Sequence, residues 1–191
     1  MKLVLASTSP FRKALLDRLA LAYETDSPDI DESPLDGENI EAMVVRLAEE
    51  KARAVADNHP DALIIGSDQS AVLDGTVLTK PGNYDNAFQQ LKNASGKRIV
   101  FHTGLCLLNT RTGKFQSTNV PYTVVFKQLT DEMIDHYLKK EEPYNCAGSF
   151  KSEALGIALF EKFEGEDPNA LVGLPLIQLV NMLNNEGMPP L

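Results

Sequence analysis

The residues with the clearest chemical use lie in a hydroxyl-rich turn near the start of the chain. Ser7, Ser9 and Arg12 follow an apolar, strand-like run and lead into a helical pattern. Ser9 is a good N-cap and is followed by proline, a good first helical residue, so a helix is predicted to begin here. Free amides at that helix start, with Arg12 and Lys13 beside them, favour a multiply charged anion such as a phosphate chain. The alternative is a plain helix start whose basic pair is solvated.

Four further charged residues are suited to act on a bound phosphate. Asp68 follows an apolar run typical of a buried strand, which is where open α/β sheets bind ligands. Glu32 lies in an acidic loop, and one or two carboxylates with phosphate oxygens are the usual ligands of magnesium. Lys51 and Lys80 could stabilise charge that develops on a phosphate. The alternatives are a strand-end position for Asp68, a solvated loop for Glu32 and solvated positions for the lysines.

Several other chemistries are disfavoured by what the sequence lacks. It contains neither the Gly-x-x-x-x-Gly-Lys-Ser/Thr phosphate loop nor the Gly-x-Gly-x-x-Gly dinucleotide fingerprint. The three histidines, at positions 59, 102 and 136, lack the spacing of zinc ligands. Cys106 and Cys146 are isolated in apolar surroundings and are interpreted as buried, reduced thiols rather than a disulfide. An anion-binding turn, acidic points and separated lysines together indicate metal-assisted phosphate chemistry.

Length and charge limit the class of protein further. At 191 residues the chain can bury a proper core as one domain, with or without a small lobe. The net charge of −9 disfavours binding to a nucleic acid polymer or an anionic membrane surface. The sequence has no apolar run of about 18 residues and no signal-peptide core, so we expect a cytoplasmic protein without a membrane span. The sequence leaves open whether the protein forms a homodimer.

The elements that must position these residues alternate between strands and helices. Hairpins and helical crossovers both occur, which predicts a single α/β domain over 1–191 with a mixed sheet. A small lobe could be built from 83–140. The strands predicted after the N-terminal one cover 22–25, 62–66 continuing to 71–73, 76–78, 98–109 and 115–126. After the first helix, a second is predicted from a cap at 39 to about 60, and further helices are predicted over 83–92, 130–139 and 175–187.

Seven short landmarks follow one another along the whole chain. They are 5–12, 31–32, 46–52, 66–69, 80–81, 147–150 and 172–176. In the order and spacing of these landmarks, rather than in any one of them, the chain resembles the Maf family of nucleoside triphosphate pyrophosphatases from end to end. The resemblance implies an inosine-triphosphatase-like α/β fold, in which a mixed sheet is flanked by helices and two lobes surround a nucleotide cleft.

The resemblance also implies a reaction and roles for individual residues. A nucleoside triphosphate would be hydrolysed to the monophosphate and pyrophosphate with a divalent cation, Mg²⁺ or Mn²⁺. Carried over by position, Ser7 and Arg12 would bind phosphates, and Lys51 together with Lys80 would neutralise the phosphate chain. The carboxylates at 32 and 68 would serve the metal and the attacking water, with Asp68 as proton acceptor.

Three positions depart from the commoner family pattern. Many members have Arg at the position of Phe11, Thr at that of Gln69 and Gln at that of Glu153. Together the departures resemble the branch of bacterial 7-methyl-GTP pyrophosphatases. N7-methylated guanine is cationic, so Phe11 could pack on it through a cation–π contact while Glu153 accepts from its N1–H and 2-amino groups and Gln69 completes the polar contacts. The alternatives are a Maf-type enzyme acting on dTTP, UTP or CTP, and a non-catalytic nucleotide-binding regulator of septum formation.

Overall fold

The computed structural model describes all 191 residues as alternating strands and helices. Its strands are β1 (Lys2–Ala6), β2 (Glu24–Asp26), β3 (Ala62–Leu73), β4 (Thr76–Leu78), β5 (Arg98–Asn109), β6 (Phe115–Phe126) and β7 (Phe160–Gly165). Its α-helices are α1 (Pro10–Asp17), α2 (Ile40–Ala54), α3 (Tyr84–Ala94), α4 (Asp131–Glu141) and α5 (Leu176–Asn185). Short 3₁₀ turns cover Ala56–Asn58, Ala147–Ser149, Leu155–Leu159 and Pro168–Val172. No helix is both long and apolar enough to cross a bilayer.

All seven strands belong to one mixed sheet. The strand order is β2-β1-β3-β5-β6-β7, and β4 pairs with the end of β3. β1 runs parallel to both β2 and β3, whereas the β3–β4 and β6–β7 pairs are antiparallel. The predicted α/β class with a mixed sheet flanked by helices is therefore confirmed.

The residues group into two compact units. The first contains Met1–Gln69, His102–Val120 and Asp167–Leu191, and the second contains Ser70–Phe101 and Pro121–Glu166. The lobe predicted over 83–140 matches the second unit only in part. Because the long strands β5 and β6 each divide between the two units, 102–120 falls in the first unit, while the second unit begins at Ser70 and extends to 166. Whether both units act as the single domain predicted for 1–191 stays a prediction.

In the first unit, β1 is buried on both faces. Leu3 and Leu5 pack with α1 and α5, in a cluster that includes Leu16 and Leu179. Val4 and Ala6 face the opposite way, into a cluster with the apolar side of α2. A strand covered on both faces has no polar side to show, which explains its continuous apolar sequence.

The second unit is built around packed aromatic rings. Phe150 lies edge-on to Phe101, Phe126 and Phe160, with ring centroids 4.9–5.6 Å apart. Such edge-to-face contacts stabilise a core beyond simple burial. The landmark over 147–150 therefore ends in a core residue of this unit.

Candidate active site

The N-terminal turn between β1 and α1 satisfies most of its own amides. Ser9 caps α1, since its Oγ accepts from the Arg12 N–H at 3.4 Å, and Ser7 Oγ accepts from the Ser9 N–H at 3.1 Å. The first helical residue is proline, so the amides of Thr8 and Phe11 are those left for a ligand. Each serine hydroxyl uses only a lone pair in these bonds and keeps its O–H proton to donate. The turn thus offers fewer free amides than the sequence predicted, but adds two hydroxyl donors.

Arg12 is held by a loop from far along the chain. Its Nε donates to the Gly173 carbonyl at 2.8 Å, and the Ser67 hydroxyl lies 2.9 Å from both this carbonyl and that of Gly104, which share its one proton. With Nε engaged, both terminal nitrogens remain free to bind phosphate oxygens. Burial lowers the pKa of Arg12, and the negative charges of Asp68 and Glu32 oppose that shift. Two carboxylates therefore lie close enough to act on the guanidinium.

Lys51 joins these two carboxylates. From α2, its Nζ lies 2.7 Å from Asp68 Oδ1 on β3 and 2.8 Å from Glu32 Oε1 in the acidic loop. Lys51 and Asp68 are each only 7% exposed, whereas Glu32 is largely exposed. The alternative of a solvated helix face is therefore wrong for Lys51. The structure therefore brings Asp68, the predicted base, and Glu32, the predicted metal ligand, into direct contact with Lys51, which is predicted to neutralise phosphates.

Close packing of α2 on the sheet explains how Lys51 reaches Asp68. A Cβ added at Gly66 would lie 2.0 Å from the Ala48 carbonyl oxygen, and one at Gly104 only 1.9 Å from that of Val44. Real Cβ atoms do not approach so closely, so glycine on β3 and β5 is what allows the helix backbone to touch the strands. Gly66 lies two residues before Asp68, so this close contact between helix and strand sets the distance between Lys51 and the Asp68 carboxylate.

The same carboxylates fit a divalent cation. Asp68 and Glu32 both contact one nitrogen, so their oxygens converge on a point that attracts positive charge. Mg²⁺ usually takes one or two carboxylates and completes its shell with waters and substrate phosphates. The structure has no group of three or more His, Cys, Asp or Glu side chains that could hold a metal. A cation here would therefore depend on oxygens of the bound phosphate chain.

Comparison with known proteins identifies the family of this chain. The family model of Maf-like proteins matches residues 2–186. The chain belongs to the Maf-like family. The Maf-like chain is 55% identical over 189 residues to a protein of Nitrosococcus oceani, covering 99% of this chain and 95% of that relative. It is 58% identical over 186 residues to one of Alcanivorax borkumensis, covering 97% and 94%. Both relatives are named 7-methyl-GTP pyrophosphatase.

Two solved structures also resemble the Maf-like protein, at lower similarity. The Ham1 protein of Staphylococcus aureus has a TM-score of 0.46 at 14% identity, covering 67% of this chain and 73% of that one. Protein VC0702 of Vibrio cholerae has a TM-score of 0.44 at 11% identity, covering 98% of each chain.

Gln69 is directed into the Maf-like protein rather than outward. Its Nε2 lies within hydrogen-bond distance of three acceptors that share its two protons, namely the carbonyls of Ala170 and Leu171 at 2.6 and 3.2 Å and Thr103 Oγ1 at 3.1 Å. These bonds fasten the 168–172 turn, which precedes the Gly173 carbonyl that holds Arg12. Only the Gln69 carbonyl oxygen is left for a ligand, so the predicted contact with the base depends on that atom.

The other residues predicted to contact the nucleotide lie at widely separated positions in the sequence. Phe11 follows the N-terminal turn and is 43% exposed, so it is not a core residue. Lys80 and Glu153 belong to the second unit, and both are exposed. Glu153 accepts a hydrogen bond from the neighbouring Ser152 hydroxyl at 3.2 Å. Nucleotide contacts of these three side chains stay predictions.

Neither cysteine is suited to nucleophilic catalysis. Both are free thiols, but Cys146 is only partly buried, contrary to the prediction that both are buried. Burial raises the pKa of Cys106 to about 12, and it also raises that of Cys146. Both side chains therefore stay protonated at neutral pH.

Three residues that support the site received no role in the sequence analysis. Ser67 and Gly173 position Arg12, and Arg46 binds the loop that carries Glu32. All three lie inside the family landmarks, and this was the only feature of the sequence that could have indicated their importance. Their roles depend on contacts between residues distant in sequence, which the motifs do not reveal.

Proposed function

We propose that this Maf-like protein hydrolyses 7-methyl-GTP to 7-methyl-GMP and pyrophosphate and so removes a modified nucleotide from the pool. One observation carries the proposal. The Lys51 ammonium is shared by Asp68 and Glu32 beside the Arg12 guanidinium, in a chain 55% and 58% identical to relatives named for this reaction.

Asp68 is the proposed general base. Its Oδ1 accepts from Lys51, which leaves Oδ2 to accept a proton from the attacking water. In attack at the α-phosphorus, the water oxygen bonds to that phosphorus, its bond to the bridging oxygen breaks, and pyrophosphate leaves with the electron pair. Attack at the β-phosphorus would give the same products with 7-methyl-GMP as the leaving group, and the position of ¹⁸O from labelled water distinguishes the two.

The cationic side chains are proposed to hold the phosphate chain. Arg12 offers two free terminal nitrogens, and the hydroxyls of Ser7 and Ser9 offer two further donors. Lys51 and Lys80 would oppose the charge that builds on departing pyrophosphate. Asp68 and Glu32 would hold a divalent cation, Mg²⁺ or Mn²⁺, which when bound polarises the phosphate oxygens.

Recognition of the methylated base is proposed to rest on three side chains. The exposed ring of Phe11 would pack on the cationic purine, a contact worth up to about 2 kcal/mol when desolvated. Glu153 would accept from the Watson–Crick edge of guanine, and the Gln69 carbonyl oxygen would complete the polar contacts.

The proposal also covers the binding partner of the protein and its location in the cell. The partner is the nucleotide alone, since a net charge of −9 disfavours nucleic acid and anionic membranes. Two free thiols support a cytoplasmic location. Assembly as a homodimer stays a prediction.

A substrate panel tests the proposal. The protein is incubated with 7-methyl-GTP, GTP, dTTP, UTP or CTP and with Mg²⁺ or Mn²⁺, and pyrophosphate release is measured beside the Asp68→Asn variant and an EDTA control. We expect the highest kcat/KM with 7-methyl-GTP and no turnover in EDTA. Preference for dTTP, UTP or CTP would assign the general Maf activity. Binding without release would indicate a regulator, and full activity in EDTA would exclude the metal-assisted mechanism.

A further inference from the structure

The acidic loop that carries Glu32 has no fully buried apolar residue. It runs over 27–39 between β2 and α2, without helix or strand, and none of its residues is buried. Of its two large apolar side chains, Ile30 is half-buried and Leu35 is 57% exposed. A loop with so little buried surface opens at small free-energy cost unless polar contacts hold it.

Arg46 on α2 supplies those contacts. Its Nε and Nη2 form a forked pair with Glu38 at 2.6 and 2.8 Å, and Nη2 also donates to the Ser33 carbonyl at 3.1 Å. The side chains of Arg46 and Glu38 are only 19% and 10% exposed. The hydrogen bonds from Arg46 lower the pKa of Glu38, so the pair persists into mildly acidic solution.

These contacts hold the part of the loop that follows Glu32. Ser33 follows Glu32 directly, so fixing its carbonyl fixes the start of the Glu32 side chain. The loop is otherwise joined to α2 by its last residue, Asn39, which caps the helix, and by the contact of Glu32 with Lys51 at 2.8 Å, which is itself part of the site. We infer that Arg46 is a positioning residue that holds Glu32 against Lys51 by clamping the acidic loop onto α2. The inference deepens the proposed function, on which its kinetic readout rests.

The chain offers a matched control for this clamp. Arg46 Nη1 also donates to Glu50 Oε2 at 3.0 Å, on the same helix one turn away. Glu50→Gln therefore weakens an Arg46 ion pair without touching the loop. Arg46→Met removes the clamp, and Glu38→Gln weakens it from the loop side if Arg46→Met folds poorly.

Kinetics form the first test, with 7-methyl-GTP as substrate. Arg46→Met should lower kcat/KM about 10–100-fold, the usual cost of removing a group that orients a functional carboxylate. In a Glu32→Gln background the same change should cost no more than about twofold, because Arg46 acts through Glu32. Glu50→Gln should leave kcat/KM near that of the parent. Two results would overturn the inference. One is a loss of kcat/KM from Arg46→Met that is as large in the Glu32→Gln background as in the parent, and the other is a loss in Glu50→Gln as large as that in Arg46→Met.

Limited proteolysis tests the clamp without any nucleotide. A glutamate-specific protease can cut the acidic loop of the folded protein after Glu32. Losing charged hydrogen bonds should raise this cleavage rate about tenfold or more in Arg46→Met, and clearly in Glu38→Gln, but not in Glu50→Gln. Unchanged cleavage in Arg46→Met would refute the clamp. If the parent protein hydrolyses no nucleotide, the proposed function fails while this comparison still decides the role of Arg46.

Discussion

Replacing Lys51 by methionine tests whether this lysine compensates a buried carboxylate. Methionine keeps an unbranched side chain of similar length, so the main change is loss of the ammonium. Asp68 then keeps its charge in a position that is 7% exposed, without the partner 2.7 Å away. Glu32 loses its partner too, but its side chain is 58% exposed and water can solvate it.

The structure sets the size of the effect. Removing one partner of a buried ion pair costs about 3–5 kcal/mol of unfolding free energy, whereas an exposed pair contributes about 0–1 kcal/mol. The Asp68 pair should therefore account for nearly all of the loss. A domain of ordinary stability, about 5–15 kcal/mol, should still fold. The double variant Lys51→Met/Asp68→Asn should recover about 1–3 kcal/mol, since it no longer buries an unpaired charge.

Urea unfolding followed by far-UV circular dichroism measures these differences, because the chain has no tryptophan. The slope of unfolding free energy against urea should stay the same in all variants, so that midpoints report stability. A double variant no more stable than Lys51→Met would refute the reasoning. The cost would then come from lost packing of the lysine stem rather than from the charge of Asp68.

Three further predictions concern turnover and selectivity. Asp68→Asn should lower kcat about 10²–10⁴-fold at little change in volume, and a near-normal kcat would move the role of base to Glu32. Arg12→Ala should weaken binding of a triphosphate far more than that of a monophosphate in equilibrium dialysis, because its free nitrogens are proposed to bind phosphates; equal losses would place Arg12 elsewhere. Glu153→Gln should erode the preference for 7-methyl-GTP over GTP more than it lowers kcat, and unchanged selectivity in competition assays would exclude Glu153 from base recognition.

Most of the fold could be predicted because local signals agreed with tertiary packing. The helix caps at Ser9 and Asn39 have the side-chain bonds expected of them, and β5 and β6 occupy their predicted ranges. β2 instead covers Glu24–Asp26, displaced from 22–25, since a three-residue edge strand is fixed by its pairing with β1 rather than by its composition. The second unit was misjudged for a similar reason, because three strands, β3, β5 and β6, divide between the units without any break in sequence.

The candidate site could be predicted less completely. Residue types and spacing indicated Asp68 and the N-terminal turn, whereas for Lys51 and Glu32 they suggested a role beside the alternative of a solvated position, and the family resemblance favoured the role. Burial of Lys51 could not be predicted, because it depends on glycines in β3 and β5 that let α2 approach the sheet. Gln69 illustrates the converse. Its position beside Asp68 indicated a ligand contact, yet acceptors within the protein engage both protons of its amide nitrogen.

The charge balance of the site bears on how an acidic protein could bind a polyanion. Arg12 and Lys51 carry two positive charges, and Asp68 and Glu32 carry two negative ones in the same group. The charges of these four side chains therefore sum to zero. Their hydrogen bonds can orient a triphosphate, but the group has no net electrostatic attraction for it. A divalent cation on the two carboxylates would change that balance by two units and release the Lys51 ammonium for the phosphates. The pairing of Lys51 is thus consistent with a site that becomes attractive to the nucleotide when a cation accompanies it.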